Sequence, residues 1–320
     1  MARVVGVDLG ATNVRAAVAD GKGSVLSVSR RSTPQGPTGI DVTEAVLDCV
    51  RAACRDAGVS TDSIAAVGVG SIGPLDLAAG TVEGPANLPD VGTIPLVGPL
   101  SELVDSERVY LHNDTSAGVI GERFYADRTP ADMVYLTISS GIGAGVCVDG
   151  EVLTGWDGNA GEVGHSVVDP RGEMRCGCGR PGHWEAYCSG ENIPRYARHI
   201  AETEDVPTDL ELADVDAADV FAAADRDELA ARTVDAVAEW NAVGVTNLVQ
   251  AYAPIVVYVG GAVALNNPER VLDPVRESLA DSVLNNVPDL ELTTLGDDVV
   301  LRGAVASALT DGTGDAERVR

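Results

Sequence analysis

One pattern occurs twice in this chain, and it restricts the fold more than anything else in the sequence. Residues 2–31 read as a β-meander: VVGVDLG, a glycine turn, NVRAAVAD, the hairpin signal Asp20-Gly21, then SVLSVSR. The pattern restarts at 132–155, where DMVYLTISSGIGAGVCVDGEVLTG reads as two strands joined by a glycine-rich turn. The first meander is followed by an amphipathic helix at 41–57, with Val42, Ala45, Val46, Cys49, Val50 and Ala53 on one face and Gly58 as its stop. Next come the buried strand IAAVGVGSIGPL, a Pro/Gly-rich loop at 84–99, the strand RVYLHND and the helix TSAGVIGERFYA. The second meander is followed by a cysteine- and histidine-bearing loop, a long helical acidic segment at 210–250, the strand IVVYVGG and the helix-like LRGAVASALT. The repetition predicts two duplicated α/β halves with a cleft between them.

At 320 residues the chain can bury a substantial core as two domains or one large one. Its longest apolar run, IVVYVGGAVAL, is too short to cross a bilayer, and Met1 leads straight into strand-like sequence without a secretory leader. A cytoplasmic location with no membrane partner is therefore expected. The formal net charge is −27, and of 22 basic residues only Lys22 is a lysine. Self-repulsion on that scale weakens a compact state in dilute buffer, whereas salt screens it, with a Debye length of about 3 Å at 1 M. This is the composition of an extreme halophile's cytoplasm; an acidic mesophilic protein is the alternative. Nucleic acid is excluded as a partner, because phosphate binding needs basic patches. The acidic run at 202–216 reads as a solvated face.

Four constellations carry chemistry. The turn Asp8-Leu9-Gly10-Ala11-Thr12-Asn13 joins two strands, so its N–H groups can cradle phosphate oxygens and its carboxylate can hold Mg²⁺ through water; a tight hairpin explains its glycine and asparagine equally well. The loop Thr137–Gly145, with Ser140, Gly141 and Gly143, has the same character, and the pair suggests a nucleotide clamp. No G-x-x-x-x-G-K-[ST] occurs, which excludes a Walker-type phosphate site. Asn113-Asp114 ends a strand and precedes a helix. Helix capping accounts for it, and so does a general base, Asp114, beside an amide able to recognise a hydroxyl.

The fourth constellation is the most specific. Glu162-x-x-His165, Cys176-x-Cys178, His183 and Glu185 crowd soft metal ligands and carboxylates into one glycine-rich loop. His165, Cys176, Cys178 and His183 would close a tetrahedral Zn²⁺ shell of a structural kind, with Cys188 a candidate replacement for either histidine. The two glutamates are not needed for that shell and suggest that a metal-braced loop presents carboxylates to something polar. Cys49, Cys54 and Cys147 read as small buried residues rather than disulfide partners.

Together these residues resemble the ROK family of sugar kinases and repressors, within the sugar kinase–actin–heat-shock ATPase superfamily, over essentially the whole chain. Asp8–Asn13 is similar to the first phosphate motif, Thr137–Gly145 to the second, and Gly260-Gly261 to the adenosine-side turn. Leu111-His112-Asn113-Asp114 matches the sugar-and-base motif, Glu162-Val163-Gly164-His165 the E-x-G-H motif, and Cys176 to Glu185 the C-x-C-G-x-x-G-C-x-E motif. Two departures stand out: His183 replaces the third family cysteine, and the second phosphate loop reads SSG where GTG is usual.

The resemblance implies an α/β fold of two actin-like (ribonuclease H-like) domains. The smaller would comprise 1–112 plus a returning C-terminal helix at 299–320, and the larger 113–298, carrying the zinc loop. It implies Mg-ATP as phosphoryl donor and Asp114 as the base that deprotonates a sugar hydroxyl. Asn113, Glu162, His165 and Glu185 would bind the other hydroxyls, with Asn87 a weaker contact. His165 would serve both zinc and sugar. The expected activity is an ATP-dependent hexokinase acting on an aldohexose, glucose first, in a homodimer or larger homo-oligomer. An N-acetylglucosamine or N-acetylmannosamine kinase is the alternative within enzymes. The regulator branch carries an N-terminal helix-turn-helix; here residue 2 already belongs to a strand and no basic recognition helix occurs, so a sugar-sensing regulator is not expected.

Overall fold

The computed structural model describes residues 2–284 and 286–319. Strands β1 (Arg3–Leu9), β2 (Asn13–Asp20) and β3 (Val25–Ser32) form the expected antiparallel meander. Helix α1 (Gly39–Asp56) starts at a capping box in which Thr38 and Asp41 satisfy each other's backbone N–H groups. It leads to β4 (Ile64–Ser71), which pairs parallel to β1. A small antiparallel sheet follows, made of β5 (Leu75–Asp76), β6 (Thr81–Glu83) and β7 (Thr93–Pro95), and then α2 (Val97–Val104). Strand β8 (Val109–Asn113) pairs parallel to β4 and runs directly into α3 (Asp114–Tyr125). The strand order is β3-β2-β1-β4-β8.

The second half repeats the first. Strands β9 (Met133–Ile138), β10 (Ile142–Val148) and β11 (Glu151–Val152) open it. After the cysteine/histidine loop come α4 (Glu185–Cys188), α5 (Ile193–Glu204), α6 (Ala217–Ala223) and α7 (Glu228–Tyr252). Strand β12 (Val256–Gly260), α8 (Ala262–Asn266), α9 (Pro268–Ser282), β13 (Asp289–Leu292) and α10 (Val299–Leu309) complete the chain. The sheet order β11-β10-β9-β12-β13 matches the first sheet position for position, with β12 parallel to both neighbours. The predicted duplication is therefore present in the strand topology itself.

The chain divides into two compact units. One runs from the N-terminus to Ala131 and adds Gly145–Gly161 and the segment from Asp297 to the C-terminus. The other comprises Asp132–Ala144 and Glu162–Gly296. In the first unit β1 is buried on both faces. Val5, Val7 and Leu9 pack with Val42, Val46, Cys49 and Val50 of α1, while Val4 packs with Leu301 and Val305 of α10. The near-continuous apolar spelling of β1 and β4 follows from this double coverage. Cys49, Cys54 and Cys147 are buried and unbridged, as expected.

Two segments differ from the sequence reading. The long helical segment at 210–250 is two helices, because Asp216 and Asp227 each cap a new start by accepting the N–H of Asp219 and Ala230. The Pro/Gly-rich loop at 84–99 contains β7 and the start of α2. Among the described residues no helix is long and apolar enough to cross a membrane.

Candidate active site

In the first unit, the turn between β1 and β2 is fixed from its carbonyl side. Thr33 Oγ1 donates to Gly10 C=O at 2.7 Å, Gln35 Nε2 to Ala11 C=O at 3.0 Å, and Thr33 N–H to Thr12 C=O at 2.9 Å. Asn13 Oδ1 accepts from Arg30 at 3.0 Å. Asp8 lies beside Arg15, whose Nε and Nη2 reach its Oδ2 at 2.9 and 2.7 Å, and Arg15 continues to Asp298 Oδ1 at 2.8 Å and Asp297 C=O at 2.6 Å. Burial raises the Asp8 carboxyl above its ordinary pKa, and Arg15 opposes that rise. Arg15 is the β2 residue directly opposite Asp8, whereas nothing local in the sequence signals Thr33, Gln35 or Asp298, whose partners lie 23 to 283 residues away.

Asn113 and Asp114 sit at the β8–α3 junction. Asn113 is buried and its Oδ1 caps α3, accepting from Thr115 N–H at 2.9 Å and Thr115 Oγ1 at 2.8 Å. Asp114 Oδ1 also accepts the Thr115 N–H, at 2.7 Å. The capping reading holds: it occupies the amide oxygen of Asn113 and leaves the Nδ2 as a donor. His112, one residue earlier, places Nε2 2.7 Å from Ser307 Oγ, and burial lowers its pKa to about 4. Asn87 is exposed on a turn held by buried Pro85 and Leu88.

In the second unit the second phosphate-loop candidate meets the candidate adenosine-side turn. Thr137 pairs directly with Gly260 across β9 and β12. Gly261 has φ of +88°, and a Cβ there would lie 2.4 Å from the Ile138 carbonyl oxygen, so only glycine lets this turn rest on the second loop. Ser139 C=O accepts from Gly190 N–H at 2.7 Å, tying the loop to the end of α4. Ser140, Gly141 and Gly143 continue from there into β10. Beside them is a cavity of about 370 Å³ lined by Ser139, Ser140, Ala217, Phe221, Val263 and Asn266 among others. The sequence reading missed the α6 side of this cavity, having assigned the run up to Asp216 to a solvated face.

The cysteine/histidine loop closes on itself. Ligand atoms of His165, Cys176, Cys178 and His183 all lie within 4.8 Å of one another. Cys176 Sγ is 3.6 Å from His165 Nδ1 and Cys178 Sγ 3.3 Å from His183 Nδ1. Those spacings fit two thiolates and two imidazoles around one tetrahedral Zn²⁺, with metal–sulfur bonds of about 2.3 Å and metal–nitrogen bonds of about 2.0 Å. Cys188 is fully buried elsewhere, its thiol donating to Val237 C=O at 3.4 Å.

With His165 Nδ1 turned toward the sulfurs, its Nε2 faces Glu162 Oε2 at 3.6 Å. Burial raises the Glu162 carboxyl, Glu185 raises it further, and His165 opposes both. Glu185 Oε1 accepts from the Cys176 thiol at 3.4 Å and its Oε2 from Ile142 N–H at 3.0 Å. The loop is anchored by Asp169, 1% exposed, which accepts from Tyr187 Oη at 2.6 Å and from the N–H groups of Arg171 and Glu173 at 3.0 Å. Burial pushes its carboxyl up, but these hydrogen bonds outweigh burial and bring it down to about 2.

The chain is 36% identical over 312 residues to a glucokinase of Pyrobaculum calidifontis, covering 96% of this chain and 95% of that one. Among solved structures it resembles a ROK hexokinase from Thermus thermophilus, with TM-score 0.81, 36% identity and coverage of 97% and 98%. It also resembles a ROK family glucokinase from Streptomyces griseus in complex with glucose and AMPPNP, with TM-score 0.73, 30% identity and coverage of 96% and 99%. The repeated sheet order is that of the two-domain actin-like sugar kinase fold. Residues 4–311 match the ROK family model, and the chain belongs to the ROK family.

Proposed function

We propose that the protein is an ATP-dependent hexokinase that converts an aldohexose, glucose first, to its 6-phosphate. The observation that carries this reading is the Asn113–Asp114 pair at the β8 terminus, in a chain similar over nearly its full length to glucokinases. Asp114 takes the proton of the sugar hydroxyl as that oxygen attacks the γ-phosphorus, and ADP leaves. Catalysis of this kind is mostly positioning and charge neutralisation. Mg²⁺ on the nucleotide would neutralise phosphate charge, and Asp8, which is ion-paired with Arg15, is the residue that would hold it.

Asn113 offers Nδ2 to a hydroxyl, and Glu162, His165 and Glu185 take others. Asn87 stays a weaker candidate contact. The turn at Asp8, Gly10, Ala11, Thr12 and Asn13 and the loop at Thr137, Ser140, Gly141 and Gly143 hold phosphates. The nucleoside enters the cavity beside Gly260-Gly261. His165, Cys176, Cys178 and His183 would hold a structural Zn²⁺, which fixes the loop so that Glu162 and Glu185 are preorganised. The acidic, lysine-poor composition supports a protein built for a salt-rich cytoplasm, and the family resemblance supports a homo-oligomer.

The test is phosphoryl transfer by purified protein in molar KCl with Mg-ATP, comparing glucose, mannose, fructose, N-acetylglucosamine and N-acetylmannosamine. Preference for glucose supports the reading. Preference for an N-acetylhexosamine replaces the substrate, and no turnover by folded protein overturns the kinase assignment.

A further inference from the structure

Trp156 is 97% exposed, whereas Trp184 is 1% exposed and Trp240 is half-buried. The backbone beneath it is nevertheless well tied. Ala160 N–H donates to Thr154 C=O at 3.1 Å, closing the loop, and Asn159 N–H donates to the Asp157 carboxylate at 3.2 Å. The Asn159 side chain does more. Its Oδ1 accepts from Leu75 N–H at 3.0 Å, and its Nδ2 donates to Leu75 C=O at 3.2 Å and to Asp157 C=O at 3.0 Å. One amide thus imitates a strand partner and staples the Trp156 loop to the start of β5.

That staple lies beside the sugar-recognising amide. A Cβ placed on Gly73 would be 3.3 Å from Asn113 Nδ2 and 3.8 Å from Asn159 Oδ1, so Asn113, Gly73 and Asn159 form one cluster within the first unit. A large aromatic face held in water on a fixed turn contributes nothing to folding and leaves the ring available to a ligand. The C–H face of a pyranose is apolar while its rim carries hydroxyls. A hexose held by its hydroxyl rim at Asn113 therefore leaves a flat apolar face to be covered, which is what an indole does best.

We propose that Trp156 stacks on the hexose and helps set its affinity, and that Asn159 is the positioning residue that holds the stacking loop. This deepens the kinase reading and rests on it. The experiment is glucose titration of the intact protein in molar KCl without nucleotide, followed by tryptophan emission, acrylamide quenching and calorimetry in parallel. Glucose is expected to blue-shift the emission and protect it from quenching, and both changes are expected to vanish in Trp156→Phe. Trp156→Ala is expected to weaken calorimetric glucose affinity roughly three- to tenfold. Asn159→Ala should weaken it similarly, with the loss falling on KM rather than kcat.

Calorimetric binding that leaves the emission and quenching of Trp156 unaltered overturns the proposal while the kinase reading stands. Absence of any sugar binding overturns both. A blue shift that tracks protein concentration without sugar assigns the ring to contact with a second copy of the chain and also overturns the proposal.

Discussion

The amide N–H of Ile142 donates to the Glu185 carboxylate at 3.0 Å, so β10, which leaves the Thr137–Gly143 loop, and α4, which follows the cysteine/histidine loop, share one side chain. The other oxygen of Glu185 meets the Cys176 thiol. Glu185 thereby connects the start of β10 with Cys176, two motifs that the sequence presents as separate.

A Cβ at Gly141 would lie 2.7 Å from Glu185 Oε2, so a side chain there would force this carboxylate to move. Gly141→Ala should displace the carboxylate and lower kcat/KM for glucose roughly 10- to 100-fold. Glu185→Gln keeps an acceptor for Ile142 and should retain the melting temperature while raising KM for sugar. Steady-state kinetics and thermal unfolding of both variants check this.

Removal of Asp114 as a base should be selective. Asp114→Asn is expected to lower kcat by about 10²–10⁴ while leaving calorimetric glucose affinity largely intact. Turnover surviving near the parent level would remove Asp114 from the base role.

Metal content should follow the geometry of the loop. The protein is expected to carry about one zinc per chain, and Cys178→Ser or His183→Ala to lose it and unfold at lower temperature. Cys188→Ala should keep its zinc, because that thiol is turned to Val237 C=O. Elemental analysis of the purified variants decides it.

His112 gives stability a pH dependence with a definite sign. Burial lowers its pKa from 6.5 to about 4, so between those values the unfolded chain binds more protons than the folded one. Its contribution to stability is complete above pH 6.5 and is lost as pH falls toward 4. His112→Gln should flatten that limb of the stability profile, measured by urea unfolding at closely spaced pH values in constant salt.

Much of the fold was legible because its signals are local. The alternation in VVGVDLG and NVRAAVAD, the Asp20-Gly21 turn and the helical spacing of Val42, Val46, Cys49 and Val50 each depend on near neighbours in sequence. Helices α5 and α9 and strand β13 were missed, and α6 was merged with α7. The acidic composition of 202–227 masked the capping role of Asp216 and Asp227, which needs their positions relative to Ala230 and Asp219.

By itself the sequence determined the duplicated strand–turn–strand plan, the family resemblance and the residue types that could bind metal, phosphate and sugar. Those follow from periodicity and from short motifs whose spacing is fixed by the backbone. Tertiary structure decided what surrounds them: Arg15 beside Asp8, Thr33 and Gln35 beneath the first turn, Gly261 on Ile138, Ile142 on Glu185 and Asn159 on Leu75. It also placed the Cys188 thiol against Val237 rather than among the four clustered ligands. Apart from Arg15 and Asp8, which face each other across the β1–β2 hairpin, these contacts join residues distant in sequence, and their energy depends on ångström-scale approach, which no local pattern encodes.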